Sequence, residues 1–135
     1  MKWPNTQQSL QASSGSTLMR AAAAGLARRI ERANALQRDG CIAEAEPIYL
    51  DVLKTDPVNA DALHFLGVLR IQQRRQDEAM ALIQRALDQA PEYVDARNNL
   101  GNLHKIRDEH QQARRCYERV LAKSPRHHDA WHNLA

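Results

Sequence analysis

The sequence repeats itself at an interval of 34 residues, and this regularity restricts the fold more than any other feature. Three prolines, Pro57, Pro91 and Pro125, mark the interval. A period of this length is typical of proteins that stack copies of one small structural unit. The same spacing relates four further sets of small or apolar residues: Ala45, Ala79 and Ala113; Tyr49, Ile83 and Tyr117; Leu53, Leu87 and Leu121; Gly67 and Gly101.

Each unit is predicted to contain two helices. Leu63 and Leu66, and then Ala79, Ile83 and Ala86, recur at the spacing of a helix face. Proline ends the second helix, because it cannot donate a backbone hydrogen bond and disfavours helical geometry in the residue before it. Five glycines and five prolines are few for a β-rich chain, which needs frequent turns. We predict an all-α solenoid of antiparallel helix pairs, with units over residues 26–59, 60–93 and 94–127 and a partial fourth unit over 128–135.

A helix-turn-helix unit of 34 residues, with Leu-Gly in its first helix and alanine in its second, resembles the tetratricopeptide repeat (TPR) family. Leu66-Gly67 and Leu100-Gly101 provide the Leu-Gly pair, and Trp131 matches the first helix of a further unit. The resemblance implies a right-handed superhelical solenoid in which the first helices line the concave side. It also implies that this concave side binds peptides.

The first unit and the residues before it depart from the family pattern. Arg29 and Arg32 stand where leucine-type residues are expected, as in an atypical end repeat. Pro47 falls near the beginning of the second helix and predicts that this helix starts late or bends. Residues 1–17 are rich in Gln and Ser and lack a periodic apolar face, so we predict a disordered tail or linker, with the solenoid over residues 18–135.

The stretch from Leu18 to Arg38 is predicted to form one helix, because its alanine run has high helix propensity. Gly25 interrupts this run at a cost of about 1 kcal/mol. The alternative is that the residues before Gly25 form a separate helix that packs on the first unit.

The family's concave positions can be carried over onto this sequence. Asparagine there suits an extended peptide, because its amide both donates and accepts hydrogen bonds. Asn99 and Asn133 occupy the same position in successive units, as in repeats of the O-linked N-acetylglucosamine transferase type, whereas Phe65 interrupts this ladder. The alternative is that the asparagines are polar residues of a solvated helix face. The predicted peptide-binding residues are Asp61, His64, Phe65, Asp95, Asn98, Asn99, Asn102, Lys105, His132 and Asn133.

We predict a protein-interaction scaffold that binds an extended segment of a partner protein. Residues 61–69 and 95–102 are similar to the repeat arms of bacterial proteins with a downstream glycosyltransferase or sulfotransferase domain, so a substrate-presenting arm is the alternative. Trp131 and Leu134 lack the second helix that would cover them. We therefore expect that the chain is the amino-terminal part of a longer protein, or that its partial fourth unit docks on another copy.

Nucleic acid and membrane are not predicted as partners. The net charge is only +3, from 19 basic and 16 acidic residues, and the basic residues of the third unit are interleaved with acidic ones. No run of 18 apolar residues is present that would span a membrane.

Catalysis and metal binding are not predicted either. No catalytic or phosphate-binding motif is found, so we expect neither an enzyme nor a cofactor. His128 and His132 have the spacing of two ligands on one helix face but lack an obvious third, so no metal site is predicted. The charged positions that grip an acidic chaperone tail in one TPR subclass are absent.

Cys41 and Cys116 fit neither a disulfide framework nor a zinc site, and they predict reduced thiols in a cytoplasmic protein.

Overall fold

The computed structural model of the chain describes residues 6–135, and the regular secondary structure of these residues is helical. No strand occurs among these residues, which confirms the predicted all-α solenoid. The helices are α1 (Thr6–Arg38), α2 (Ile42–Thr55), α3 (Ala60–Gln72), α4 (Gln76–Gln89), α5 (Val94–Ile106), α6 (His110–Lys123) and α7 (His128–Leu134). Within this part of the chain, none of the helices combines the length and the apolar character that a membrane crossing requires.

Each second helix ends in the same way, just before a proline. The backbone N–H of Asp56 donates to the carbonyl of Val52, and Ala90 and Ser124 make the equivalent bonds in the next two units. The following proline has no N–H to continue the helix. The second helices all have 14 residues, and this ending places their last residue at the same position of each unit.

The turn between the two helices of a unit uses a left-handed residue. Gly40, Arg74 and Asp108 have φ of 83°, 62° and 60° and occupy the same position in successive units. After each of them, the next backbone N–H donates to a carbonyl five residues earlier, as from Arg75 to Arg70 at 2.8 Å. This ending satisfies carbonyls that the first helix would otherwise leave without a donor.

The apolar core lies between neighbouring helices. One cluster joins α1, α2 and α3 around Tyr49, Val52 and Leu66, and another joins α4, α5 and α6 around Ile83 and Leu103. Each helix pair is therefore held by the pairs beside it, as expected for a solenoid.

The two helices of a unit approach most closely at a glycine. A Cβ atom on Gly67 would lie 2.7 Å from Ile83 Cγ1, and one on Gly101 would lie 2.7 Å from Tyr117 Cε1. Both distances are shorter than van der Waals contact, so a side chain here would force Ile83 or Tyr117 to move. The first unit has a fully buried alanine, Ala33, at this position.

The structure differs from the prediction at the amino-terminal end. Residues 6–17 were expected in a disordered tail, whereas α1 already begins at Thr6; the remaining residues of that predicted tail lie outside the described residues. The helix also continues through Gly25, so there is one helix and not two. A helix that is already nucleated adds residues at little cost, and one glycine is not sufficient to end it.

The predicted late start of the second helix in the first unit is wrong. α2 begins at Ile42, in register with Gln76 and His110 in α4 and α6. Pro47 lies inside α2, where its missing N–H removes one backbone hydrogen bond. The buried side chains of Ala45 and Tyr49, on either side of the proline, anchor the helix in the core.

Gly101→Ala is expected to lower the free energy of unfolding by about 1 to 3 kcal/mol, because the new methyl group overpacks the contact with Tyr117. The matched control is Gly25→Ala, whose Cβ would have no atom within 4 Å and which should raise stability by about 1 kcal/mol through helix propensity. Urea unfolding followed by circular dichroism measures both changes. Equal shifts in the same direction would contradict the close approach at Gly101.

Candidate functional site

The residues predicted to bind a peptide lie on α3, α5 and α7, the first helices of the second, third and fourth units. We call the surface formed by these helices and α1 the first-helix face. The side chains of Asp61, Asp95, Lys105 and His132 are exposed, those of Phe65, Asn99, Asn102 and Asn133 are half-buried, and those of His64 and Asn98 are buried.

His64 links the second and third units from a buried position. Its Nε2 lies 2.8 Å from Asn99 Nδ2, and its Nδ1 lies 3.0 Å from Tyr93 Oη. Because an amide nitrogen only donates, this geometry assigns Nε2 as the acceptor and places the ring proton on Nδ1, which donates to Tyr93. The rings of Phe65 and Tyr93 lie on either side of the imidazole, with centroids 4.9 and 4.7 Å away.

Burial favours the uncharged forms of His64 and Tyr93. It lowers the pKa of His64 below its usual value, and the carboxylates of Asp95 and Asp61 oppose the shift only partly. Burial also raises the pKa of Tyr93, and a hydrogen bond to Asp61 raises it further. Neutral His64 therefore donates to the protonated hydroxyl of Tyr93.

Asn102 is the centre of a second polar cluster, between the third unit and the partial fourth. Its Oδ1 accepts from Tyr117 Oη at 2.6 Å and from Asn133 Nδ2 at 2.9 Å. Lys105 Nζ donates to the main-chain oxygen of Asn133 at 3.3 Å. Two of the predicted asparagines are therefore fixed against each other, and both acceptor sites of the Asn102 oxygen are used.

The first unit repeats the tyrosine–asparagine pair. Tyr49 Oη contacts Asn34 Oδ1 and lies 2.7 Å from Gln37 Oε1. Gln37 in turn donates through Nε2 to Gln72 Oε1 at 2.9 Å, which joins the first unit to the second. Asn34 and Asn102 are two periods apart, so the same polar contact is built twice on this face.

The second unit replaces both members of this pair by apolar residues, Val68 and Ile83. The face is therefore apolar at its centre and rich in amides toward each side. Gln37 and Arg38 were not singled out from the sequence, although the spacing of Asn34 and Asn102 was a signal for this part of the face. A cavity of about 300 Å³ opens here, lined by Asn34, Gln37, Arg38, Phe65, Val68 and Gln72.

His64 and Asn98 occupy equivalent positions and face the interior. They are 3% and 7% exposed, so direct contact with a peptide would require them to move. The buried Oδ1 of Asn98 has no hydrogen-bond partner among residues 6–135. The accessible part of the predicted site is therefore formed by the exposed and half-buried residues of the first-helix face.

Two family models, both described as tetratricopeptide repeat, match residues 30–94 and 71–135. Together the matches extend from residue 30 to residue 135, and the chain belongs to the tetratricopeptide repeat family. This finding confirms the resemblance deduced from the repeat. No curated protein sequence matches the chain.

Several solved structures share the fold. The O-GlcNAc transferase of Thermobaculum terrenum is 28% identical with a TM-score of 0.79, over 83% of this chain and 22% of that one. The second TPR domain of human RPAP3, in complex with an HSP70 peptide, is 20% identical with a TM-score of 0.70, over 78% of this chain and 88% of that one. MamA is 19% identical with a TM-score of 0.73, over 99% of this chain and 81% of that one. The chain thus spans less than a quarter of the length of the transferase that it matches.

His64→Asn is expected to reduce the loss of stability on acidification. Because the pKa of His64 is lowered in the folded state, the unfolded chain binds a proton more readily, and stability falls as the pH is lowered from about 6.5 toward the pKa of the folded state. Urea unfolding between about pH 7.5 and about pH 5.5, one unit either side of the usual histidine pKa, measures the slope. The control is His132→Asn, which removes a histidine at the equivalent exposed position, so that the difference in slope between the two variants reports the burial of His64. Identical slopes for the original chain and His64→Asn would contradict the buried neutral imidazole.

Proposed function

We propose that this chain is a protein-interaction scaffold that binds an extended peptide segment on its first-helix face. The observation that carries the proposal is the row of amide side chains along this face, interrupted by an apolar cavity. Support also comes from the family, because TPR domains of RPAP3 were solved with peptides of HSP70 and of HSP90.

The amides suit a peptide backbone because they are already held in place. Asn99 is fixed by His64, and Asn102 is fixed by Tyr117 and Asn133. Groups that are ordered before binding lose less conformational entropy when a ligand arrives. An extended chain presents N–H and C=O groups in alternation; the oxygen of Asn99 is available to accept from an N–H, and the amide nitrogen of Asn102 is available to donate to a C=O. Each such bond contributes about 0.5 to 1.5 kcal/mol, so several together give modest affinity with little dependence on sequence.

The cavity between the first and second units would add selectivity. Phe65 and Val68 provide its apolar wall, and Arg38 is an exposed cation at its rim. A peptide with an apolar side chain in the cavity would bury apolar area there, at about 25 cal/mol per Å². A carboxylate next to that side chain would lie near Arg38. We therefore expect a preference for an apolar residue flanked by an acidic one.

The double change Asn99→Ala with Asn102→Ala is expected to weaken peptide binding by about 1 to 3 kcal/mol, because two amide contacts are lost. A library of extended peptides supplies a binder, and isothermal titration calorimetry then measures its affinity. The matched control is Gln111→Ala with Gln112→Ala, two exposed amides of α6 outside the first-helix face. Equal affinity of both double variants would contradict binding through the asparagines.

A second candidate function is a substrate-presenting arm of a glycosyltransferase. The 28% identity with the O-GlcNAc transferase of Thermobaculum terrenum favours it, together with the shared position of Asn99 and Asn133. This function requires a catalytic domain in the same polypeptide or in a bound partner. The arm would act by positioning the acceptor protein at that domain.

In a polypeptide that joins this chain to a transferase domain, deletion of residues 26–127 is expected to slow transfer to protein acceptors by about a hundredfold while small acceptors react as before. Steady-state rates with a protein acceptor and with a short peptide acceptor measure the difference. Equal losses for both acceptors would exclude the arm and leave the scaffold function in place.

A further inference from the structure

A large groove lies on the outer side of the first unit, between α1 and α2 and separate from the first-helix face. Its volume is about 850 Å³, and we call it the unit 1 groove. Most of the exposed lining area is apolar, and basic side chains stand at the edges. The lining residues are Arg29, Arg32, Pro47, Ile48, Leu50, Asp51, Leu53 and Lys54.

In the second unit, the same positions are covered by a helix. Leu63 and Leu66 are the equivalents of Arg29 and Arg32, and they are 1% and 2% exposed. Leu66 belongs to the core cluster that contains Tyr49 and other residues of α2, so the second helix of the preceding unit packs on this side of the second unit. The unit 1 groove therefore has the shape of a surface that binds one helix.

Two arginines show how such a helix is held at its carboxyl end. Arg85 donates to the carbonyl of Pro57 at 3.2 Å, and Arg97 donates to that of Pro91 at 3.0 Å. Each proline lies just beyond the second helix of the preceding unit. In the first unit, Asp51 stands at the position of Arg85, and Arg29 stands at the position of Arg97. Asp51 and Arg29 pair with each other across the groove. A helix bound there would place its carboxyl end near Arg29.

The charge of the groove differs from that of the covered surfaces. Arg29, Arg32 and Lys54 face a single carboxylate, Asp51, which already pairs with Arg29. Arg32 and Lys54 have no ion-pair partner among residues 6–135. Leu50 is 41% exposed on the same surface, where the later units have Gln84 and Glu118. An apolar floor with unpaired cations favours an occupant that is apolar on one side and acidic at its edges.

We propose that the unit 1 groove binds an acidic amphipathic helix of a partner protein. The helix would present apolar residues at the spacing of Ala45, Tyr49 and Val52, the α2 residues in the core cluster that contains Leu66. A second copy fits less well, because the exposed Leu18 and Met19 of α1 are followed by Arg20, which has the same charge as the groove.

The test uses a fluorescein-labelled peptide with the sequence of residues 42–55 and the change Lys54→Glu, in which Ala43→Lys and Pro47→Glu are joined by a side-chain lactam that keeps the peptide helical. A control peptide keeps the lactam and has Gln or Asn in place of every other Glu or Asp. Fluorescence anisotropy with the full chain measures both affinities. The acidic peptide is expected to bind at least about tenfold more tightly than its amide counterpart.

Protein variants then locate the binding surface. Arg32→Glu with Lys54→Glu should weaken binding of the acidic peptide at least about tenfold. Arg115→Glu with Arg126→Glu, the same charge change at two exposed positions elsewhere, should change it by less than about twofold. Leu50→Asp, at an exposed position of the floor, should abolish binding of both peptides, and circular dichroism confirms that each variant is folded.

Three results would overturn the proposal: equal affinity for the two peptides, equal effects of the two charge-reversal variants, or binding that survives Leu50→Asp. Sedimentation that shows a dimer of the unmodified chain, converted to monomer by Leu50→Asp, would assign the groove to a second copy and would also overturn it. None of these changes touches Asn99 or Asn102, so failure of this proposal leaves peptide binding on the first-helix face unaffected.

Discussion

The close approach of the two helices within a unit is the contact on which the rest of the structure depends. Gly67 and Gly101 let Ile83 and Tyr117 lie directly against the backbone of the first helix. This contact places Tyr117 close enough to reach Asn102 with its hydroxyl. In the first unit, where Ala33 stands in place of the glycine, Tyr49 reaches Asn34 in the same way, so this polar contact needs a small residue at the helix crossing and not glycine itself.

The repeat made most of the fold predictable from the sequence. A period of 34 residues, helix-type apolar spacing and a proline after each second helix define the pairs α3–α4 and α5–α6 with nearly the observed bounds. The prediction was wrong where the helix propensity of a segment was considered without the helix and the core packing next to it. Residues 6–17 have no apolar face, yet they continue a helix nucleated farther along, and the helical register of α2 around Pro47 is maintained by buried neighbours.

The candidate site was only partly predictable. The sequence placed the ten residues on first helices, but adjacent positions such as His64 and Phe65 point about 100° apart on a helix. Which of them faces the next unit depends on the rotation between units, and a single repeat pattern does not specify that rotation. The hydrogen bonds from His64 to Asn99 and from Asn133 to Asn102 cross unit boundaries, so they too depend on how the units stack.

The seven-residue helix α7 makes the orientation of Asn102 on the first-helix face depend on the stability of a very short helix. A helix this short is not stable alone in water, so α7 persists only through its packing on α6 and α5. Asn133 is part of that helix, and it orients Asn102. Ordering of α7 and binding of a peptide on the first-helix face are therefore linked equilibria. A ligand that needs Asn102 in its observed orientation slows hydrogen exchange in α7, and fraying of α7 lowers the apparent affinity by the fraction of time that the helix is open.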